Sequence, residues 1–238
     1  MNSYRIKTLK NARITEGELK EVETAIADVE TKTNGEIACA ITGASHNYSF
    51  WELLFAVGVG AVVAIVLTFC SPFLVQNLES FFWGDIPSWI LTGLIAIVTL
   101  ITISVAFFIA NIPFVDECIT PRSYRNFAVY RRAMRHFVES GVYDTKEQSG
   151  ILIFVSLLEK QVKIIADRGI NQKVAQSQWD DIAAKLALGF SKKTEISTKD
   201  ALLQSITECG ALLAENFPPL TDNPNELKDA VEILRAGE

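Results

Sequence analysis

Ile151–Ala166 reads ILIFVSLLEKQVKIIA, and its two halves announce a sheet. Ile151–Leu157 is a near-continuous apolar run, the pattern of a strand covered on both faces. Glu159-Lys160 marks a tight turn, and Val162–Ala166 predicts a second strand antiparallel to the first. Asp167-Arg168-Gly169 then turns the chain into a helix expected near Asn171–Phe190. Another helix is expected over Thr198–Asn216, broken by Phe217-Pro218-Pro219, and a last short helix over Asn225–Leu234.

Working back from that stretch, Asp144–Ser149 is a polar loop, and Gly141 ends a helix predicted over Arg122–Ser140. Its apolar face is expected to be Phe127, Tyr130, Met134, Phe137 and Val138. Arg125, Arg131, Arg132 and Arg135 form the opposite, basic face, with Arg122 at the start. Near the N-terminus, Thr15-Glu16-Gly17-Glu18 is a capping box, a hydroxyl cap with a glutamate three positions on. Leu19, Val22, Ile26 and Val29 follow on one helical face. Asn34-Gly35 stops that helix, and Glu36–Thr42 predicts a short strand. Strand–helix–strand crossovers place their strands in parallel, so the fold class is α/β, with a small mixed sheet covered by helices.

The sheet-forming segments are interrupted. Between Glu52 and Glu79 lie 26 residues without a charge, and between Asp85 and Asp116 lie 30. A bilayer core of about 30 Å needs roughly 20 helical residues. Leu53–Val75 and Trp89–Ile109 meet that length, so two transmembrane helices in a hairpin are expected. The domain plan is therefore 1–50 and 113–238 as two parts of one soluble domain, with a hairpin over 51–112 between them. Ala56, Gly60 and Ala64 have the spacing that lets helices approach closely, either the second span or a second copy.

Basic residues set the expected orientation. Arg5, Lys7, Lys10, Arg13, Lys20 and Lys32 precede the first span, and Arg122, Arg125, Arg131 and Arg132 follow the second. The connection Gln76–Ser88 has no Lys or Arg. A multi-pass protein of the cell inner (plasma) membrane with both termini cytoplasmic is expected. Trp51, Phe81, Phe82, Trp83 and Trp89 fall where interfacial aromatics belong. The first 50 residues do not have the short basic start and apolar run of a signal peptide, so the first span is expected to serve as the targeting signal.

Cys39, Cys70, Cys118 and Cys209 show no CxxC spacing, which argues against a zinc site or a disulfide framework. The net charge of −6 argues against a nucleic-acid partner. Phosphate-loop, GxSxG, HExxH and GxGxxG patterns are absent. His46 and His136 are the two histidines, and each is expected at the surface.

One constellation carries chemistry. If the first two strands are parallel and the third antiparallel, the sheet gathers Glu36, the loop Asp144–Glu147 and Asp167 at one edge. Glu36, Asp144 and Asp167 would supply oxygen ligands suited to calcium or magnesium. The same residues fit a plainer reading, with Asp167 capping a helix and Glu36 solvated. The arginine face of 122–140 likewise fits either anionic headgroups or plain solvation.

Thr33-Asn34-Gly35-Glu36-Ile37 resembles the first-strand motif of the TPM domain. Arg131–Phe137, Gly141-Val142 and Thr145 resemble a helix-and-turn stretch of its membrane-bound bacterial members. Gly150–Leu157 resembles the family's GVLIFVSL strand, and Val162–Ile170 its VEIIADRGI element. Trp179 and Asn225-Glu226-Leu227 resemble a later helix and the NEL ending. The resemblance implies an α/β/α sandwich. It also implies a kinship with thylakoid acid-phosphatase and photosystem-repair proteins, and Asp167 as the position matching a metal-associated aspartate. Three functions follow as expectations. One is a membrane-anchored accessory protein that helps assemble or maintain another membrane protein in the lipid bilayer. The second is a metal-dependent acid phosphatase, with calcium or magnesium as cofactor and no evident nucleophile. The third is a structural hairpin that binds a partner.

Overall fold

The computed structural model describes residues 3–82, 87–191, 195–219 and 225–237. The chain divides into two compact units, Met1–Asn47 with Arg122–Glu238, and Tyr48–Pro121. In chain order the elements are α1 (Ser3–Ala12), α2 (Glu16–Glu30), β1 (Glu36–Thr42), α3 (Ser49–Phe69), α4 (Ser71–Phe82), α5 (Ser88–Ala110), α6 (Pro113–Ile119), α7 (Arg122–Glu139), β2 (Gly150–Ser156), β3 (Gln161–Ala166), α8 (Arg168–Asn171), α9 (Gln176–Gly189), α10 (Thr198–Asn216) and β4 (Val231–Leu234).

The sheet unit is a four-stranded mixed sheet in the order β3-β2-β1-β4. β1 runs parallel to β2 and β4, and β2 runs antiparallel to β3. Side chains alternate across it, as period-two strands require. On one face Ile37, Cys39, Ile41, Ile151, Ile153 and Val155 pack against α2, α9 and α10 through Leu19, Val22, Ile26, Trp179, Leu186, Leu202 and Ile206. On the other, Ala40, Leu152 and Phe154 pack against Val129, Ala133 and Phe137 of α7. The result is an α/β/α sandwich whose central β2 is buried along its whole length. Each large apolar side chain so enclosed contributes roughly 1.5–3 kcal/mol. The capping box forms as expected: Thr15 Oγ1 accepts the Glu18 N–H at 3.2 Å, and Glu18 Oε2 accepts the Thr15 N–H at 2.8 Å.

Four expectations are corrected. The segment expected as a last helix, Asn225–Leu234, ends instead in β4, because Val231–Leu234 pairs with Cys39–Thr42. The helix expected near Asn171–Phe190 is two helices, α8 and α9. The buried stripe of α7 is Val129, Arg132, Ala133, His136 and Phe137, whereas Phe127, Tyr130 and Val138 are exposed. Small Ala133 packs on the sheet beside Val129 and Phe137, which turns Phe127, Tyr130 and Val138 outward. Finally His136, expected at the surface, is 5% exposed.

The hairpin unit contains α3 to α6. α3 and α5 pack together, and a Cβ on Gly60 would collide with Ile103. Ala56 is fully buried, so Ala56 and Gly60 serve the close helix approach expected of them. The first apolar helix begins before Leu53 and ends at Phe69, capped by Cys70, and a separate helix starts at Ser71. Gln76–Phe82, expected as connecting loop, is helical, and Trp83 and Asp85 lie outside the described residues. Ser49–Phe69 and Trp89–Ala110 are long and apolar enough to cross a membrane, and only 17% and 11% of their apolar cores are buried.

Candidate functional site

The sheet topology assembles the edge that the sequence points to. Glu36 is register partner to Gly150, and the Glu36 N–H donates to Ser149 O at 3.2 Å. Across the antiparallel pair, the Asp167 N–H donates to Gly150 O at 2.9 Å. The beginnings of β1 and β2 and the end of β3 thus share one edge. Strands lie about 4.8 Å apart, so Glu36 and Asp167, two strands apart, are separated by roughly 10 Å along it.

What fills the space between them is backbone. A Cβ on Gly150 would meet Val142 O, and a Cβ on Gly169 would come within 2.6 Å of Gln148 O and 2.8 Å of Glu147 O. These two glycines let the 142–148 loop and the Asp-Arg-Gly turn lie directly on the sheet edge. Thr145 Oγ1 accepts the Ser149 N–H at 3.0 Å, and Ser149 Oγ donates to Asn34 O at 2.8 Å, which fastens that loop to the start of β1.

The three expected carboxylates take separate positions. Glu36 is 3% exposed, and its two oxygens accept the backbone N–H groups of Glu226 and Leu227, both at 3.3 Å. Burial raises its pKa above the ordinary glutamate value, against the lowering effect of those two amides. Asp167 caps α8, with Oδ1 accepting the Arg168 N–H at 2.6 Å, while its buried Oδ2 has no hydrogen-bond partner. Asp144 is exposed at the end of a short 3-10 turn, Val142–Asp144. Among the described residues, no three His, Cys, Asp or Glu side chains stand close enough to hold a metal ion.

The edge instead has an acidic pocket around β1. Glu30, in the last turn of α2, is buried, and its Oε1 accepts the Ile37 N–H at 2.8 Å. Its Oε2 makes no hydrogen bond. Burial, followed by the neighbouring charges of Glu36 and Asp229, pushes its pKa up to about 8, so it is largely protonated at neutral pH. Glu226 closes the pocket, its Oε2 accepting the Lys146 N–H at 2.9 Å. Glu30, Glu226 and Asp229 were not among the expected site residues. Glu30 lies four residues beyond Ile26 on the buried stripe of α2, a glutamate at a core position, and that was the available signal.

A second polar network sits at the opposite end of β1 and β2. Glu159 is buried, with Oε1 accepting the Ser45 N–H at 2.9 Å and Oε2 accepting the Ser156 hydroxyl. Ser45 Oγ and Ser156 Oγ are 2.6 Å apart. These groups satisfy one another and close the loop after β1.

An α/β/α sandwich with this mixed sheet, carrying two apolar helices between its first strand and the helix that returns to the sheet, defines the class of the protein. Residues 119–211 match the model of the TPM domain. Its fold is similar to the NMR structure of BA42 protein from the psychrophilic bacterium Bizionia argentinensis sp. nov.. The two share 21% sequence identity with a TM-score of 0.52, over 92% of this chain and 94% of that one. No curated protein matches the chain.

Proposed function

We propose that the chain is a membrane-anchored TPM-domain accessory protein, which holds its sheet unit at a bilayer surface and there supports the assembly or maintenance of another membrane protein. The supporting observation is the hairpin. Core helices of this length would be enclosed by protein, yet Ser49–Phe69 and Trp89–Ala110 leave most of their apolar surface uncovered. Leu53, Val62, Ile65, Val66, Ile97 and Leu100 are each more than half exposed. In water such a continuous apolar surface drives association, whereas lipid covers it at no cost.

The test has two stages. Alkaline extraction of membranes should leave the chain in the pellet, as it does for proteins that span the bilayer. Gentle detergent solubilisation should then bring down a membrane protein with the intact chain, and not with a chain whose residues 48–121 are replaced by an unrelated hairpin. Release by alkali would overturn the anchor. An identical set of partners for both chains would remove the hairpin from partner selection.

A second reading is that the acidic edge binds calcium or magnesium weakly, in support of phosphatase chemistry. Two carboxylate oxygens without donors, Glu30 Oε2 and Asp167 Oδ2, favour it. The ligands are not preassembled, so side chains would have to swing to meet an ion. Millimolar calcium or magnesium should raise the melting temperature, and Asp167→Asn should abolish the rise. A melting temperature indifferent to both ions would leave Asp167 as a helix cap alone.

A further inference from the structure

The hairpin unit holds a carboxylate that nothing answers. Glu52 stands in the first turn of α3 and is only 6% exposed. Its Oε2 is enclosed without a hydrogen-bond partner, and the side chain has no ion pair among the described residues. The charge it does feel is another acid: Asp116 of α6 is close enough to repel it. Asp116 is itself buried, with Oδ1 accepting the Thr120 hydroxyl at 3.2 Å.

Nothing else in this unit's sequence can neutralise Glu52. Residues 48–121 contain the acids Glu52, Glu79, Asp85, Asp116 and Glu117, and no Lys, Arg or His. A second copy of the hairpin therefore brings no counter-charge. A charge held out of water without a counterpart is costly, and in a membrane-spanning helix it marks a contact with something else. Beside these acids lies an open apolar groove of about 510 Å³. Trp51, Leu54 and Phe55 of α3 line one wall, and Val115, Cys118 and Ile119 of α6 line the other. Glu52 and Asp116 belong to the same turns as those lining residues.

We propose that α3 and α6 form a docking groove for a transmembrane helix of another protein, and that Glu52 pairs with a Lys or Arg at the cytoplasmic end of that helix. The inference rests on the membrane-anchored reading and adds to it the contact that selects a partner. Charge complementarity decides the occupant. Membrane-spanning helices carry Lys and Arg at their cytoplasmic ends. That is the end at which α3 begins in the orientation expected from the basic residues. The long stems of these side chains cross an apolar wall and deliver the charge beyond it. A lipid acyl chain would fill the walls and leave Glu52 unanswered.

Energy transfer in phosphatidylcholine vesicles tests the contact, with a fluorescent protein fused to the C-terminus of the full chain as donor. The probe is an acceptor-labelled alanine–leucine transmembrane peptide with one arginine near each end, and its control has glutamine at those positions. Saturable transfer at one peptide per chain is expected, with roughly fivefold stronger association of the arginine peptide. Glu52→Gln should abolish that preference with an unchanged circular dichroism spectrum, whereas Glu79→Gln, in α4, should keep it. Cys118→Trp, which fills the groove and leaves Glu52 in place, should weaken association of both peptides severalfold. Equal association of the two peptides with the parent, a preference that survives Glu52→Gln, or parental association in Cys118→Trp would overturn the site. Transfer between two copies of the chain that displaces the peptide would do the same and name a second copy as the occupant. Alkaline extraction of the same vesicles keeps the two readings apart: release of the chain refutes the anchor, and a retained chain without the preference refutes the Glu52 contact alone.

Discussion

Glu30 Oε1 accepts the backbone N–H of Ile37 at 2.8 Å, so a buried carboxyl ties the last turn of α2 to the second residue of β1. Its pKa of about 8, against an ordinary 4.5, makes this tie dependent on pH. The folded state holds the proton more tightly than the unfolded state does. The stability linked to this group is therefore fully present below pH 4.5 and is lost as pH rises through about 8. Glu30→Gln keeps an acceptor for Ile37 and removes the titration. It should flatten the decline in unfolding free energy between about pH 5 and 8, and above that range stabilise by roughly 1–3 kcal/mol, less than full linkage because water and relaxation screen the charge. Parallel denaturant profiles for parent and variant across that range would show that Glu30 does not titrate there.

Gly150 has a different vulnerability. Its missing Cβ is what allows Val142 O to rest on the sheet edge. The obstacle is backbone and cannot rotate away. Gly150→Ala should cost about 1–3 kcal/mol in chemical unfolding, the usual range for overpacking, and a Gly58→Ala control, where the space is open, should cost much less.

The sheet unit should fold only with both of its sequence segments. β1 lies between β2 and β4 and supplies the register partners of both. Removing residues 1–42 strips α2 and β1 from one core layer and parts β4 from the sheet. A fragment of residues 122–238, which lacks these elements and the hairpin, should show no cooperative thermal transition, whereas adding back a peptide of residues 1–47 should restore one. A sharp transition in the fragment alone would mean that β1 is dispensable.

Orientation can be tested with single cysteines at Gln76 and Gly237, in a chain whose four native cysteines are replaced. Under the arrangement expected from the basic residues, a membrane-impermeant thiol reagent should label position 76 in intact cells and position 237 only after lysis. The reverse pattern would invert the hairpin.

Much of the fold was legible because single segments carried it. Ile151–Leu157 is apolar without interruption, and Thr15 with Glu18 forms a cap whose chemistry is local. Thr198–Asn216 was bounded by a serine before it and two prolines after it, and the helix has those bounds. The failures share a cause. Val231–Leu234 follows apolar residues at helical spacing and becomes a strand because β1 has a free edge to pair with, a tertiary fact. α7 carries apolar groups on two sides, and its sequence does not say that the sheet would accept the alanine side rather than the aromatic one. That error of phase also hid Arg132 and His136, which look like members of a solvated basic face until Ala133 is seen against the sheet. The acidic edge was half legible: parallel pairing of β1 with β2 brings Glu36 and Asp167 to one edge, but the direction of the Glu36 side chain depends on the Glu226–Leu227 segment, nearly 200 residues away in the chain.

The position of the hairpin within the fold has a consequence for how the chain is made. Glu36 pairs with Gly150, 114 residues later, and the whole hairpin is synthesised between them. A ribosome therefore delivers β1 long before its partner exists, and the strand must wait with both edges bare. When β2 emerges, pairing is possible only if residues 47 and 122 are on the same side of any bilayer the intervening helices have entered. A chain that inserts one helix and not the other leaves the two halves of the sheet in different compartments. Completion of the sheet thus acts as a check on insertion: misinserted chains keep an open β1 edge, the kind of surface that quality-control proteases and chaperones recognise.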